Sequence, residues 1–364
     1  MIVADAGPFD VGTLADLVAR IIQAAGASAD EAALVAAHVV DAEARESRSQ
    51  GLVRVPAYVN SARQGKIVSG APLTVERDSG SVLVLDANNG WGQVAAMGAM
   101  DRCMARATAT GACLAVVRRS NHIGRLGFYV ERAAARGMIG LIACGGNPSS
   151  AWVAPWGGIR PLFGTNPLAV GFPRRDGPPV VVDVSTTQGA RGNVLLAQKT
   201  RQPLPEGWAF DNAGQPTRDP HMALPPHGTL APLGGHKGYA LAVAVEILCG
   251  VLAGIWPPES SADFVGAIRV EAFLPLSDYY QSLDGLIAQI KGVPTRPGFQ
   301  EIFMPGEGSA RRGAASAARG ILVPEEMWRE IAGLARGLGV RHPLLDEAQV
   351  EGTPHRRLSP GGAS

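Results

Sequence analysis

Apolar side chains recur at helical spacing in the first part of the chain. Within 11–25 the apolar face of a predicted helix consists of Leu14, Leu17, Val18, Ile21 and Ile22. Ser28 and Glu31 have the spacing of a capping box, which predicts a second helix that runs to about Ala44. A third helix is predicted over about 51–65. The chain is therefore predicted to have a helical N-terminal region.

From about residue 80, short apolar runs alternate with helical patterns. The predicted strands are 81–85, 113–117, 138–144, 168–172, 180–184 and 264–270. The predicted helices are 91–110, 124–135, 188–199, 237–252, 278–291 and 325–336. This alternation is typical of layered α/β proteins. Residues 200–232 are rich in proline and glycine and are predicted to be mostly loop, and residues 341–364 are predicted to be a tail.

Composition narrows the class of protein. The 364 residues carry a net charge of +1, and 46% of them are hydrophobic. Such an apolar chain can bury enough surface to fold, which argues against disorder. Near-neutral charge gives no electrostatic basis for binding nucleic acid. Glycine and proline, at 46 and 27 residues, have no period of three, so a collagen-like helix is excluded.

The cysteines and apolar runs indicate the compartment. The N-terminus lacks the pattern of a signal peptide, and no apolar run is long enough to span a bilayer. The four cysteines lie far apart without the spacing of a zinc site. We therefore expect reduced core cysteines, no metal site, no membrane partner and a cytoplasmic location.

One segment fits a dinucleotide-binding fingerprint. Residues 90–95 read Gly-Trp-Gly-Gln-Val-Ala, between a predicted strand and a predicted helix. However, residues 86–89 separate the strand from the first glycine, and the acidic ribose ligand expected further on is missing. We interpret the segment as a glycine turn that feeds a packed helix. The alternative is a phosphate loop, with Arg118 and Arg119 at the next strand contacting a 2′-phosphate.

Polar clusters interrupt the apolar sequence at three places. His122 follows a predicted strand, where α/β proteins commonly bind ligands, and its imidazole can exchange a proton near neutral pH. A loop histidine beside a helix cap is an equally good interpretation. Residues 164–167 have two interpretations, a contact with a ligand or a rigid turn that enters the next predicted strand. Residues 232–239 open a helix with glycines and Lys237, as in an anion site or a structural helix entry.

The order of these clusters resembles the type-2 malate/L-lactate dehydrogenase family of NAD(P)-dependent oxidoreductases. The resemblance covers about residues 10–340. The matching segments are Gly51–Val59, Asn89–Gln93, Ser120–Gly124, Ala154–Gly158, Gly164–Ala169, Pro205–Ala209, Pro232–Tyr239, Glu301–Ile302, Pro305–Glu307 and Arg319–Ile321.

The resemblance implies a fold and an assembly. The expected fold is an α/β arrangement around a mixed sheet, not a Rossmann fold, with a helical N-terminal region. We divide the chain into an N-terminal region over 1–77 that packs with the C-terminal part, and a core over 78–300 that binds cofactor and substrate. A helical segment over 301–340 and a tail over 341–364 follow. The family implies a homodimer with the active site near the subunit interface.

The resemblance also implies the chemistry. The family moves a hydride between nicotinamide and a 2-oxo or 2-imino carboxylate. NAD(P)H is the implied cofactor, with NADPH slightly favoured, and Arg118, Arg119, Arg311 and Arg312 are candidates to meet a 2′-phosphate. By the same resemblance His122 is the general acid/base and Arg54 the carboxylate clamp. Ser49 and Thr165 are further implied substrate contacts. The implied cofactor residues are Thr165, Asn166, Asp183, Ser185, Thr186, His236, Lys237, Gly306, Glu307 and Arg311.

Two departures from the family pattern keep alternatives open. Gln50 stands where the family usually has a histidine, and Asn193 where it usually has a lysine. Glutamine can hydrogen-bond but cannot transfer a proton at neutral pH. The leading hypothesis is a dehydrogenase of a small 2-oxo/2-hydroxy acid. The first alternative is a reductase of a cyclic 2-imino acid, whose nitrogen arrives protonated. The second alternative is a catalytically silent cofactor-binding homologue.

Overall fold

The computed structural model describes residues 5–146, 151–256 and 260–346. The strands are β1 (Asp5–Phe9), β2 (Thr74–Asp78), β3 (Val82–Asp86), β4 (Ala112–Ser120), β5 (Met138–Gly145), β6 (Leu168–Phe172), β7 (Val180–Val184), β8 (Ala209–Asp211), β9 (Pro216–Thr217), β10 (Gly228–Leu230), β11 (Ser261–Arg269) and β12 (Ile321–Pro324). The helices are α1 (Val11–Ala24), α2 (Ala29–Ala44), α3 (Val55–Arg63), α4 (Gly92–Thr110), α5 (Gly127–Ala134), α6 (Arg191–Thr200), α7 (His236–Glu246), α8 (Leu276–Lys291), α9 (Glu307–Arg319), α10 (Glu325–Gly337) and α11 (Pro343–Asp346).

A seven-stranded mixed sheet forms the centre of the molecule, in the order β2-β3-β4-β11-β5-β6-β7. The β3–β4 pair is parallel, whereas β11 pairs antiparallel with both β4 and β5. A Rossmann fold instead has a mostly parallel sheet. The predicted mixed-sheet α/β fold is therefore confirmed.

Both faces of this sheet are covered, because its central strands are apolar on both sides. Helices α4 and α5 pack on one face, where Met100, Tyr129 and Val265 are fully buried. Helix α7 and the π-helical turn Ile247–Val251 that extends it pack on the other face through Val245 and Cys249. The carboxyl end of β4 carries the polar cluster of His122.

The start and end of the described chain share one core. Strand β1 pairs antiparallel with β12, and helices α1, α2, α3 and α10 enclose Leu17, Val35, Val59 and Ile331. Serine 28 caps α2 and Glu31 completes the capping box, as predicted. The strands β1, β2 and β12 were not predicted from the pattern, because they are short and two of them begin or end at proline or glycine turns.

Residues 200–232 are mostly loop, as predicted, and also contain the small three-stranded sheet β10-β8-β9, which packs against α6 around Val194 and Leu230. The prediction of a C-terminal tail needs correction. The predicted tail begins later than residue 341, because His342 and Leu345 are buried against the N-terminal core. The rest of the predicted tail, 347–364, lies outside the described residues.

The described part of the chain contains no helix long and apolar enough to cross a membrane. It also contains no group of three or more His, Cys, Asp or Glu side chains that could hold a metal ion. The four cysteines are free, and Cys103, Cys113 and Cys249 are buried.

Candidate active site

The loop that carries His122 crosses the start of α4. A Cβ atom on Gly92 would lie 2.4 Å from the carbonyl oxygen of Asn121 and 2.5 Å from that of His122. Only glycine allows this close approach of two backbones. The loop also covers the N-terminus of α4, where a phosphate would have to bind. The glycine fingerprint over 90–95 therefore serves packing, as we interpreted it.

A side-chain clamp holds the other side of this loop. The amide nitrogen of Asn121 donates to the carbonyl oxygens of Asn89 and Gly90, each at 2.9 Å. Asn89 has a left-handed backbone with a φ of 57°. The two arginines beside the loop already form ion pairs within the chain. Arg118 pairs with Glu76 at 2.8 Å, and Arg119 pairs with Asp86.

The buried ring of His38 in α2 packs against the loop that carries His122. A Cβ on Gly124 would lie 2.0 Å from this ring, and the backbone N–H of Arg125 donates to His38 Nε2 at 2.9 Å. Burial lowers the pKa of His38 to about 4, so the ring is neutral at pH 7. The position of His38 within the apolar sequence of α2 predicts a core or interface residue, and its contacts place the ring against the loop.

Ser49, Arg54, Tyr58 and His122 come together in one place. We call these four residues, with Gln50 next to Ser49 in the chain, the His122 corner. The Tyr58 hydroxyl lies 2.7 Å from His122 Nδ1. Arg54 Nε donates to the Ser49 carbonyl oxygen at 2.7 Å. Its terminal N–H groups have no hydrogen-bond partner among the described residues. Burial, and then the positive charge of Arg54, hold the pKa of His122 well below its usual range.

A buried carboxyl positions the turn that leads into the corner. The carboxyl of Glu43 accepts from the backbone N–H of Leu52 at 3.0 Å, and a Cβ on Gly51 would lie 2.2 Å from the same oxygen. The turn Arg48–Gln50 precedes this contact. The side-chain oxygen of Gln50 is buried and has no hydrogen-bond partner in the described part of the protein.

Thr165, Ser185 and Thr186 form a second group beside the start of α7, and the side chain of the neighbouring Asn166 contacts the last turn of that helix. The Thr186 backbone N–H and hydroxyl both donate to the Thr165 carbonyl oxygen at 3.0 Å. The Asn166 amide nitrogen donates to Glu246 Oε2 at 2.8 Å. The backbone N–H of Leu233 donates to the Thr186 carbonyl oxygen at 2.9 Å, which ties this group to the helix entry.

The helix entry itself is open. His236 and Lys237 begin α7 and are exposed. The exposed ring of Trp156 packs against Gly235, where a Cβ would lie 3.0 Å from it. Lys237 has no ion-pair partner among the described residues. Lys237 is therefore an unpaired cation at the N-terminus of a helix, a position at which proteins commonly bind anions.

The remaining cofactor candidates lie in a third group. Gly306 packs on β7, where its Cβ would lie 2.9 Å from that of Val181. Glu307 pairs with Lys291 at 2.7 Å and with Arg311 at 2.9 Å. Arg311 also pairs with Glu301 at 2.6 Å. We call these four charged residues the α9 cluster.

Hydrogen bonds dominate the electrostatics of the α9 cluster. Those from Lys291, Met304 and Arg311 hold the pKa of the Glu307 carboxyl at about 2. The remaining candidate, Asp183, accepts from the backbone N–H of Gly127 at 2.8 Å and contacts neither the His122 corner nor the α9 cluster through a hydrogen bond in the described structure.

Sequence reasoning missed Tyr58 as a site residue. Its spacing of four from Arg54 places both on one side of the short helix that follows the turn, so the pattern could have identified it. It also missed His38, which approaches the loop from a distant helix. No local pattern connects α2 with residues 122–125.

Comparisons with known proteins identify the family of this chain. The sequence model of the malate/L-lactate dehydrogenase family matches residues 9–332. A (2R)-3-sulfolactate dehydrogenase (NADP(+)) of Chromohalobacter salexigens is 37% identical, over 88% of this chain and 95% of the relative. A Δ1-pyrroline-2-carboxylate reductase of Burkholderia multivorans is 34% identical, over 87% of this chain and 94% of the relative.

A solved structure shares the whole architecture. The malate dehydrogenase of Entamoeba histolytica superposes with a TM-score of 0.87 and 25% identity, covering 93% of this chain and 99% of that one. The family named by these matches consists of dehydrogenases and reductases that act on CH–OH or C=N groups. The chain belongs to the malate/L-lactate dehydrogenase family.

Proposed function

We propose that the protein is an NAD(P)H-dependent oxidoreductase that interconverts a small 2-oxo carboxylate and the corresponding 2-hydroxy acid. The observation that carries this proposal is the His122 corner. It places a proton-exchanging imidazole, held by Tyr58, beside a guanidinium whose terminal N–H groups are unpaired. This pairing of a proton donor with a carboxylate clamp suits a 2-oxo acid.

Arg54 binds the substrate carboxylate in this proposal. Its planar guanidinium can donate two parallel hydrogen bonds to the carboxylate oxygens. The carbonyl oxygen of Ser49 accepts from Nε and fixes the direction of the fork. The charge of Arg54 also contributes to lowering the pKa of His122. A bound carboxylate neutralises that charge, so substrate binding raises the pKa of His122 and favours its protonation.

His122 donates the proton. Nicotinamide, when bound, supplies the hydride to the substrate carbon. The negative charge that develops on the substrate oxygen takes a proton from the protonated ring, the imidazolium. Both nitrogens of the imidazolium carry a proton, so Nδ1–H donates to the Tyr58 hydroxyl and Nε2–H is free for the substrate oxygen. Loss of the Nε2 proton leaves the neutral ring with its proton on Nδ1. Tyr58 thus orients the ring and selects its tautomer.

The cofactor residues are proposed from the second group and the helix entry. Thr165, Asn166, Ser185 and Thr186 line the approach to α7, and Lys237 supplies an unpaired cation for the pyrophosphate. NADPH is slightly favoured over NADH. The 2′-phosphate that distinguishes NADPH from NADH needs a cation that is not already paired. Arg174 lines a cavity of about 270 Å³ beside Gly306 and has no carboxylate partner among the described residues. A named relative is NADP(+)-dependent.

A substrate panel tests the proposal. Reduction of 2-oxo acids by the purified protein, followed as loss of NADPH absorbance, should proceed and should be slower with NADH. Absence of turnover with every 2-oxo acid and cyclic imine, in a protein shown to bind NADPH, would contradict the proposal. That outcome would favour the catalytically silent alternative.

Gln50 supports a second candidate, reduction of a cyclic 2-imino carboxylate. Its buried side-chain oxygen has no donor in the described structure. A protonated imine nitrogen carries an N–H that could satisfy this acceptor, whereas a carbonyl oxygen has none. A relative is named as a pyrroline-2-carboxylate reductase. Replacement Gln50→His should then favour a 2-oxo acid over Δ1-pyrroline-2-carboxylate in the ratio of their kcat/KM values.

Two further expectations stay predictions. We propose a homodimer, and the apolar side chains exposed on α7 and the turn that follows are surfaces that a second copy would bury: Leu241, Ile247, Val251 and Leu252. Sedimentation equilibrium would measure the mass of the assembly. The cytoplasmic location is checked by fractionation of cells that express the natural gene.

A further inference from the structure

The start of α4 packs against the side chains that would carry the proton transfer. The rings of Trp91 and Tyr58 meet edge to face, with 6.4 Å between their centroids. Gly92, the first residue of the helix, lies against the backbone of the loop that carries His122. The next residue, Gln93, is fully buried. A polar side chain is therefore enclosed where α4 meets the proposed proton donor.

The side-chain amide of Gln93 is unpaired. Neither its oxygen nor its nitrogen has a hydrogen-bond partner in the described structure, and burying an amide without hydrogen bonds is costly. The amide lies near the Tyr58 hydroxyl. Burial raises the pKa of Tyr58, and the charge of Arg54 and then the amide of Gln93 offset that rise in part. Rotation about the last side-chain bond decides whether the amide presents its oxygen or its nitrogen to the hydroxyl.

The hydrogen bond between Tyr58 and His122 selects between these two orientations. The Tyr58 hydroxyl lies 2.7 Å from Nδ1 of the ring. When the ring is an imidazolium, Nδ1 carries a proton and the hydroxyl oxygen must accept it. The hydroxyl proton then needs an acceptor of its own, and the side-chain oxygen of Gln93 is an acceptor without a donor. Only the orientation that turns this oxygen to the hydroxyl gives each proton in the row an acceptor.

We propose that Gln93 is a positioning residue for His122, because its side-chain oxygen accepts the Tyr58 hydroxyl proton and thereby determines which ring nitrogen exchanges a proton with the substrate. In this row, Nδ1–H donates to the Tyr58 oxygen and the Tyr58 O–H donates to Gln93. Neither proton moves during the reaction, and Nε2 alone releases and recovers one. This inference rests on the proposed function, since it concerns the proton donor of the same site.

Loss of the Gln93 oxygen has a defined consequence for the ring. The Tyr58 hydroxyl would reverse and donate to Nδ1, so the neutral ring would hold its proton on Nε2. Nε2 then has no lone pair with which to take a proton from a 2-hydroxy acid. The reversed hydroxyl also disfavours the imidazolium that reduction needs, because Nδ1–H would lose its acceptor. Both directions of the reaction are therefore slowed.

Two other groups act on the charge of His122. They are Arg54, which stays charged, and His38. Burial lowers the pKa of His38 to about 4, so His38 stays mostly neutral between about pH 5 and pH 8. Over that range, a change in the pH dependence of turnover on substitution of Gln93 reports the protonation of His122.

Nitrogen-15 NMR of the histidine rings in the full-length protein tests the inference directly. The His122 signal is identified by its loss in His122→Asn. At about pH 8, where the ring is neutral, we expect the wild-type proton on Nδ1. Gln93→Met keeps the length of the side chain without the amide oxygen, and should move the proton to Nε2. Gln93→Glu retains an acceptor and should keep the proton on Nδ1.

Turnover should follow the tautomer. We expect Gln93→Met to lower kcat at about pH 8 by about 2- to 10-fold in both directions, the effect of one hydrogen bond. The loss should shrink towards about pH 5 as the ring becomes protonated. The midpoint of thermal unfolding should stay the same or rise, because a buried unpaired amide is removed. Gln23→Met, at an exposed position of α1, is the matched control and should retain full activity.

A double substitution separates positioning from packing. In a Tyr58→Phe background the amide has no link to the ring, so Gln93→Met should cause no further fall in kcat. An equal further fall in that background, or an equal loss at all pH values with a lower midpoint of unfolding, would assign Gln93 to packing and overturn the inference.

The NMR result is independent of turnover, which keeps the two proposals distinguishable. A wild-type ring with its proton on Nε2 overturns the inference even if no variant folds, and so does a Gln93→Met ring that keeps its proton on Nδ1. Neither result contradicts the oxidoreductase proposal. A wild-type protein that has the expected tautomer but turns over no substrate contradicts the proposed function and leaves the arrangement of Gln93, Tyr58 and His122 standing.

Discussion

The His122 corner and the α9 cluster differ in whether their polar groups have partners within the protein. In the corner, the terminal N–H groups of Arg54 and the side-chain oxygen of Gln50 have no partner in the described structure. In the α9 cluster, Arg311 and Glu307 are each paired with oppositely charged side chains. Leaving a buried polar group unpaired costs free energy, so such groups persist where a ligand can satisfy them.

This difference separates binding from support. In the α9 cluster the charges are paired with one another, and the pair of Lys291 with Glu307 connects the start of α9 to α8. The corner has charges and hydrogen-bonding atoms available for a ligand. We therefore expect substitutions in the corner to reduce catalysis, and substitutions in the α9 cluster to reduce stability. The resemblance implied that Glu307 and Arg311 contact the cofactor, and the comparison provides a direct way to test that implication.

The largest effect is expected for His122→Asn. The asparagine can hydrogen-bond but cannot donate a proton to the substrate oxygen. We expect kcat to fall by about 10²- to 10⁴-fold, with the midpoint of thermal unfolding little changed. His227→Asn, at an exposed histidine, is the matched control and should retain full activity. A His122→Asn variant that keeps most of its kcat would show that the corner is not the site of proton transfer.

Asp263 lies outside the corner, and we expect its unpaired carboxyl to affect stability rather than ligand binding. Asp263 on β11 is fully buried, and neither carboxyl oxygen has a hydrogen-bond partner in the described structure. Burial raises its pKa to about 7, which the nearby Ser120 hydroxyl and Cys144 thiol offset only in part. In the unfolded chain the same carboxyl has a pKa near 3.8. Stability is therefore lost as the pH rises from about 4 to about 7.

Asp263→Asn tests this pH dependence. The variant should gain up to about 4 kcal/mol of unfolding free energy relative to wild type at pH 8, and little at pH 4. Denaturant unfolding at both pH values measures the difference. If the gain is equal at the two pH values, the ionisation of Asp263 does not control stability. If activity is lost while stability rises, this unpaired group serves the site after all.

The smallest effect is expected in the α9 cluster. Arg311→Gln removes ion pairs that are about half exposed, and such pairs contribute about 0–1 kcal/mol each. We expect a slightly lower midpoint of thermal unfolding and an unchanged KM for NADPH. A several-fold rise in that KM, without loss of stability, would instead support the cofactor contact implied by the resemblance. Arg329→Gln, which removes an exposed ion pair with Glu325 on α10, is a control of equal charge.

The sequence predicted the long elements well and the short ones poorly. The helices α1, α2 and α8 and the strands β6 and β7 have strong apolar periods and end at caps or turns, which are local signals. The small sheet β10-β8-β9 was not predicted within the mostly loop segment 200–232, because its strands are two or three residues long and lie among prolines. Their pairing depends on contacts with α6, which no local window contains.

The site divides in the same way. His122 and Arg54 could be identified because they lie in polar motifs at the ends of elements. His38 could not, since its importance comes from a tertiary contact with Gly124. The assignment of residues 90–95 depended on a missing acidic residue, and Gly92 then proved to contact the backbone of the His122 loop.

The pairing of β1 with β12 also determines when the N-terminal core can fold during synthesis. Helices α1 to α3 leave the ribosome first, but their core contains Ile321, Trp328 and Ile331 from the other end of the chain. Contacts of such large sequence separation form slowly and only after both partners exist. Tyr58 belongs to this core, as do Leu52 and Val55 on either side of Arg54. A nascent chain that lacks its last helices should therefore have a folded sheet but no competent site.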